Sequence, residues 1–175
     1  MKQTVKVDVG GRRGYKLRTK IDNRDFISII REYVIEDDGV TFLTETYLDN
    51  EASVKISFAS ENIYRVQMFP FCRTDVRQNP VFDFPAFKEF QVREDELFIC
   101  ICTSRLELSI RKCPWEISVK LDGRPLTGEH IKDFNVGQRY KAMPLGFEYD
   151  VDTKEVRETY ETYYMHVDEG FYGFG

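Results

Sequence analysis

The chain has 175 residues, 42% apolar and 14% aromatic, a composition that folds around a single core and excludes a disordered tail. Its 30 acidic and 25 basic residues leave a net charge of −5, which offers no attraction to phosphate backbones or anionic membranes and sets nucleic acid aside as a partner. No run approaches the roughly 20 apolar residues of a membrane span, and Met1-Lys2-Gln3-Thr4-Val5-Lys6 lacks the apolar core of a signal peptide.

Phe (14) and Tyr (10) are frequent, which favours strands. Near the N-terminus, Gly10, Gly11 and Gly14 are followed by Tyr15-Lys16-Leu17 and not by a capped helix, so they read as a turn rather than a phosphate loop. Phe26, Ile29, Ile30 and Tyr33 have helical spacing, with Asn23 or Asp25 available as a cap. The β-branched run and the Asp38-Gly39 turn behind it argue for strand from Ile29 on. The pattern therefore predicts one short helical turn, then a hairpin between residues 30–35 and 40–46.

Alternation dominates the middle of the chain. Val54, Ile56 and Phe58 share a face against Lys55 and Ser57. After a Ser-Glu-Asn turn at 60–62, Tyr64, Val66 and Met68 oppose Arg65 and Gln67. Residues 97–102 form a continuous apolar run, as in a strand covered on both faces. Leu106, Leu108 and Ile110 alternate with Arg105, Glu107, Ser109 and Arg111. Trp115, Ile117, Val119 and Leu121 alternate with Glu116, Ser118 and Lys120, which makes Trp115 a core residue. Asp122-Gly123 closes that strand as a hairpin turn, because Gly accepts positive φ. Two more strands, 146–150 and 156–167, flank an acidic turn at 151–155. No linker or internal repeat divides the chain. Many short strands with frequent turns predict an all-β sandwich in one domain over residues 1–175.

Candidate chemistry is sparse. Cys100 and Cys102 fall on one strand face about 7 Å apart, and neither Cys72 nor Cys113 supplies a second zinc-type pair at matching distance. The four read as core thiols of a cytoplasmic protein. His130 and His166 have no nucleophile at a useful spacing. Asp150, Asp152 and Glu155 lack the ligand order and glycine of a calcium loop, so they read as a solvated hairpin. Acidic residues are plentiful enough for the carboxyl pair of a retaining glycosidase, about 5–5.5 Å apart, but the sequence alone picks out no such pair.

The chain reaches Gly175 through Asp168-Glu169-Gly170-Phe171-Tyr172-Gly173-Phe174-Gly175. Rings left at a free end would expose the kind of apolar surface that marks an interface, so the sequence reads as cut from a longer protein. This segment is similar to a signature of glycoside hydrolase family 31, an aromatic-Gly-aromatic-or-Leu-Gly stretch normally followed by Glu. Two further pieces resemble the same family's N-terminal domain. The first runs from Val54-Lys55-Ile56-Ser57-Phe58 to Ile63-Tyr64-Arg65-Val66-Gln67-Met68. The second comprises Thr103-Ser104-Arg105-Leu106-Glu107-Leu108-Ser109-Ile110, Pro114-Trp115-Glu116-Ile117 and Leu121-Asp122-Gly123-Arg124-Pro125-Leu126.

The resemblance implies a galactose-mutarotase-like β-sandwich packed on a catalytic (β/α)8 barrel of an α-glucosidase or α-xylosidase. The family's nucleophile and acid/base are aspartates on that barrel, the nucleophile usually in an Asp-Met-Asn-Glu-like segment that is absent here. A barrel needs about 250 residues of its own. No catalytic or substrate-binding residue therefore transfers to this chain, and the resemblance implies no metal or organic cofactor for the parent enzyme. Phe171, Tyr172, Gly173, Phe174 and Gly175 transfer only as a domain-junction motif. The implied partners are the chain's own barrel and, for the parent enzyme, an α-linked oligosaccharide. The rival readings are a free-standing mutarotase-like sugar epimerase and a carbohydrate-binding sandwich.

Overall fold

The computed structural model describes residues 3–12, 23–73, 85–129 and 145–163. Among them are twelve strands and no helix: β1 (Gln3–Lys6), β2 (Arg24–Glu36), β3 (Gly39–Thr46), β4 (Glu51–Ser60), β5 (Ile63–Pro70), β6 (Gln91–Glu94), β7 (Phe98–Cys102), β8 (Leu106–Lys112), β9 (Trp115–Leu121), β10 (Arg124–Gly128), β11 (Gly146–Tyr149) and β12 (Val156–Tyr160). The expected all-β sandwich is what forms. One sheet has the order β12-β11-β2-β3-β4-β5, with β1 added to β2, and the other has the order β10-β9-β8-β7-β6. Each is largely a meander of neighbouring antiparallel strands. The chain builds β2 to β5, crosses to lay down β6 to β10, and returns as the hairpin β11–β12 against β2.

Alternation explains most of the packing. Val54, Ile56 and Phe58 of β4 face Leu106, Leu108 and Ile110 of β8 and Ile117 and Val119 of β9 in one buried cluster. Trp115 is fully buried in it and meets Phe42 of β3 edge-on, ring centroids 5.8 Å apart. Burying a side chain of this size contributes about 2–3 kcal/mol. The sheets are also tied by a polar contact, the Tyr33 hydroxyl donating to Glu94 Oε2 at 2.9 Å.

The helical turn expected around Phe26 is not there. Residues 24–36 are a single strand, and its i, i+3 spacing comes from two bulges. Ile27 pairs with Thr46 and Ile29 with Glu45, then Ile30 with Thr44 and Glu32 with Leu43, so Ser28 and Arg31 are extra residues. Each insertion shifts the pleat by one position. Ile27, Ile30 and Tyr33 consequently all reach the same core.

Two smaller expectations also need correcting. The β2–β3 turn is Asp37-Asp38, one residue earlier than the Asp38-Gly39 signal implied, with Glu36 paired to Gly39. Gly39 is needed for space: a Cβ there would lie 2.0 Å from the Ile56 carbonyl oxygen of the neighbouring strand. The apolar run at 97–102 is not covered on both faces. Ile99 and Ile101 are fully buried, while Phe98, Cys100 and Cys102 are half-buried on the outer face.

The first sheet curls. Phe71, just beyond β5, packs its ring against Phe147 and Tyr149 of β11 at 5.3 and 5.2 Å, although β5 and β11 are four strands apart in the sheet.

Candidate functional site

Among the described residues, those singled out from the sequence do not converge. Cys100 and Cys102 do share a face, but on the outside of the second sheet, where Arg93 donates to Cys102 Sγ at 3.0 Å and Ser109 lies 3.7 Å from Cys100 Sγ. Only Cys113 is a core thiol; Cys72, Cys100 and Cys102 are half-buried. Burial pushes the Cys113 thiol up, and burial together with the Glu51 carboxylate does the same to Cys72. These are protonated, unreactive sulfurs near neutrality. Gly10 and Gly11 have positive φ in a turn stapled by Asp8, whose Oδ1 accepts the Gly10 N–H at 2.7 Å. Gly14 lies outside the described residues.

Asp150 is committed to its own hairpin. Its Oδ1 accepts the N–H groups of Asp152 at 3.0 Å and Thr153 at 3.1 Å, its Oδ2 pairs with Arg157, and the two N–H donors hold its carboxyl below the usual range. Asp152 and Glu155 complete the turn. Among the described residues no group of three or more His, Cys, Asp or Glu could hold a metal. His130, His166 and the whole motif Phe171, Tyr172, Gly173, Phe174, Gly175 lie outside the described residues.

What the fold does assemble is an acidic and aromatic corner where the last described residues rejoin the second sheet. Glu129 comes directly after β10 and forms an isolated bridge with Tyr163. Its N–H donates to the Ile117 carbonyl at 2.8 Å. Its side chain folds back into the interior, Oε2 accepting the Ile117 N–H at 2.6 Å and Oε1 the Leu145 N–H at 2.9 Å. Only 4% of Glu129 is exposed. Burial penalises its charge more than the two donors stabilise it, and the nearby Glu161 carboxyl adds repulsion, so its pKa is pushed up to about 8. Burial likewise raises Glu161, and Tyr163 and Tyr64 sit above the ordinary phenol range, each desolvated and each feeling the Glu161 charge.

Nothing in the sequence marks Glu129. It stands after Thr127-Gly128 in a stretch with the composition of a polar loop, and its burial depends on Leu145 arriving from 16 residues on. Asp25 reads from the sequence only as a helix cap, yet it is the other deeply buried carboxylate among the described residues. Its Oδ2 accepts the Thr46 hydroxyl at 2.6 Å and the Asn50 amide at 2.8 Å, while Oδ1 accepts the Leu48 N–H at 2.9 Å. It organises the β3–β4 turn.

This corner is a set of withdrawn, mutually repelling acidic groups, not an open cleft with opposed carboxylates. No protein-family model matches the chain, and no curated protein sequence does. Solved structures do match. One is a cycloalternan-forming enzyme from Listeria monocytogenes in complex with a pentasaccharide substrate, at 18% identity and a TM-score of 0.57. Another, with the same identity and TM-score, is an uncharacterized protein from Listeria monocytogenes, solved with α-D-glucose, β-D-glucose, magnesium and calcium. In both cases the likeness covers 74% of this chain and 11% of the other. At that identity the likeness establishes the fold. The chain spans about a tenth of the length of the solved chains it matches.

Proposed function

We propose that this chain is the non-catalytic N-terminal sandwich, galactose-mutarotase-like in fold, of a retaining α-glycosidase resembling glycoside hydrolase family 31. It packs on a catalytic (β/α)8 barrel and helps shape the mouth of the active site. The observation that carries this reading is the likeness in fold to 11% of a cycloalternan-forming enzyme solved with a pentasaccharide substrate. The Phe171-Tyr172-Gly173-Phe174-Gly175 motif supports it independently, since its rings would bury apolar area against a second domain while its glycines let backbones approach.

Chemistry supports the non-catalytic part. Retaining hydrolysis requires two carboxyl groups about 5–5.5 Å apart on either side of an accessible glycosidic bond. Glu129 is engaged with two backbone N–H groups inside the core and Asp25 is locked under a turn, so neither can reach a sugar. The nucleophile and the acid/base of the parent enzyme belong to the barrel, which acts on an α-glucoside or α-xyloside without a cofactor. Four unpaired thiols suit a cytoplasmic enzyme.

The decisive experiment is to read the coding region downstream of Gly175. Glu is expected as the next residue, and then a barrel carrying an Asp-Met-Asn-Glu-like segment; a stop codon overturns the reading. The chain alone should leave 4-nitrophenyl α-glucoside intact. Polarimetric mutarotation of glucose above the buffer rate would replace this reading with an epimerase, and saturable maltose binding by calorimetry would replace it with a carbohydrate-binding sandwich.

A further inference from the structure

The outward face of the second sheet gathers two sulfurs and two cations. Ile99 and Ile101 of β7 are fully buried, which fixes the alternate residues Cys100 and Cys102 on the outside, both half-buried. The register sets Cys102 opposite Gln91 of β6 and Glu107 of β8, and Cys100 opposite Arg93 and Ser109. One strand further on, Lys120 of β9 stands opposite Glu107 and pairs with it at 2.7 Å. Strands β6 to β9 lie wholly within the described residues.

The spacing limits what the two thiols can do. Their Cα atoms are about 7 Å apart along the strand, beyond the usual disulfide range of about 4.4–6.8 Å, so they stay two thiols. A side chain leans along its strand as χ1 changes. Two sulfurs leaning toward each other reach the span of a thiolate–metal–thiolate unit, roughly 4.6 Å for two bonds of about 2.3 Å.

The surroundings select the ion. Arg93 donates to Cys102 Sγ at 3.0 Å, and Arg93 and Lys120 both interact electrostatically with the two sulfurs. Two thiolates on a univalent ion leave one net negative charge, which these cations offset. Zinc takes four ligands, and Glu107, the carboxylate opposite Cys102, is held by Lys120. Paired soft sulfurs suit a soft ion instead.

We propose that Cys100 and Cys102 form a two-coordinate site for a soft univalent ion of the copper(I) class. On binding, each thiol gives its proton to solvent while a sulfur lone pair bonds to the ion, and no electron is transferred. Ser109 Oγ, 3.7 Å from Cys100 Sγ, is placed to donate to that thiolate as Arg93 donates to the other.

The test adds copper(I) as its acetonitrile complex to the whole chain under argon. Native mass spectrometry counts the ions, and competition with bicinchoninate gives the affinity. A single tightly held ion is expected. Cys100→Ser and Cys102→Ser should each weaken capture by more than about 100-fold, beyond the loss from removing an outer partner. Arg93→Gln should weaken it about 10-fold and Arg93→Lys should restore most of that, while Cys72→Ser should change nothing. Because both thiols release a proton, capture below the thiol range should gain about 100-fold per pH unit, against about 10-fold for one thiol. Capture that survives in either Cys100→Ser or Cys102→Ser, or zinc held as tightly as copper(I), would overturn the site. If circular dichroism shows those two variants unfolded, the pH slope of the unaltered chain decides, and a slope of about 10-fold overturns the proposal.

Discussion

Strands β2 and β9 both feed the same core, and they do it with different spacing. In β9 the inward residues Trp115, Ile117 and Val119 are two apart, and its partner β8 does the same with Leu106, Leu108 and Ile110. In β2 the inward residues Ile27, Ile30 and Tyr33 are three apart, because Ser28 and Arg31 are bulged out of register. The two strands also differ in what lies along their edges. β9 has one partner per edge, β8 and β10. β2 carries β3 on one side and, on the other, β11 near its start and β1 near its end. A bulge bends a strand and increases its twist, and here that bending accompanies a sheet curled until Phe71 meets Phe147 and Tyr149. Regular alternation writes a flat face; curvature is written as a departure from it.

The largest test of this contrast is on the regular side. Trp115→Ala empties the space that the indole fills beside Phe42 and should destabilise the chain by about 3–5 kcal/mol in urea unfolding. A loss under about 1 kcal/mol would mean the indole is not the centre of the core. On the bulged side, Ile27→Ala and Ile30→Ala should each cost about 2–4 kcal/mol. Simple alternation would turn one of these two away from the core and make its loss small. The bulged register buries both in one cluster, so a small loss at either would restore a regular strand.

Legibility in the sequence divides along the same line. The strands β4, β5, β8 and β9 can be read because their pleat is unbroken over seven residues or more, and Trp115 is placed in the core by the face it shares with Ile117 and Val119. The start of β2 misleads because two insertions turn a period of two into steps of three, the same steps a helix would show. β1 and β6 escape notice because four residues with a single apolar position carry no detectable period. The corner at Glu129 is invisible for another reason. A lone Glu becomes a buried link only when Ile117 and Leu145 are brought to it from different parts of the chain.

The smallest effects separate two glycines that the sequence presents alike, each directly after an Asp. Gly39 sits in a strand, and Gly39→Ala would drive a methyl group to within 2.0 Å of the Ile56 carbonyl oxygen, where the obstacle is backbone and cannot swing aside. A loss of about 1–3 kcal/mol is expected, from crowding. Gly123 has open space around its Cα but a φ of 77°, next to Asp122 at 50°, the left-handed pair of a tight hairpin turn. Gly123→Ala should therefore cost only about 1 kcal/mol, from conformation alone. The substitution that distinguishes them is Asn, which tolerates the left-handed region but is larger than Ala. Gly123→Asn should recover most of the loss seen with Ala, whereas Gly39→Asn should be worse than Gly39→Ala. If Asn rescues at 39 as well, the turn lies at Asp38-Gly39 after all and the register of β2 against β3 shifts by one.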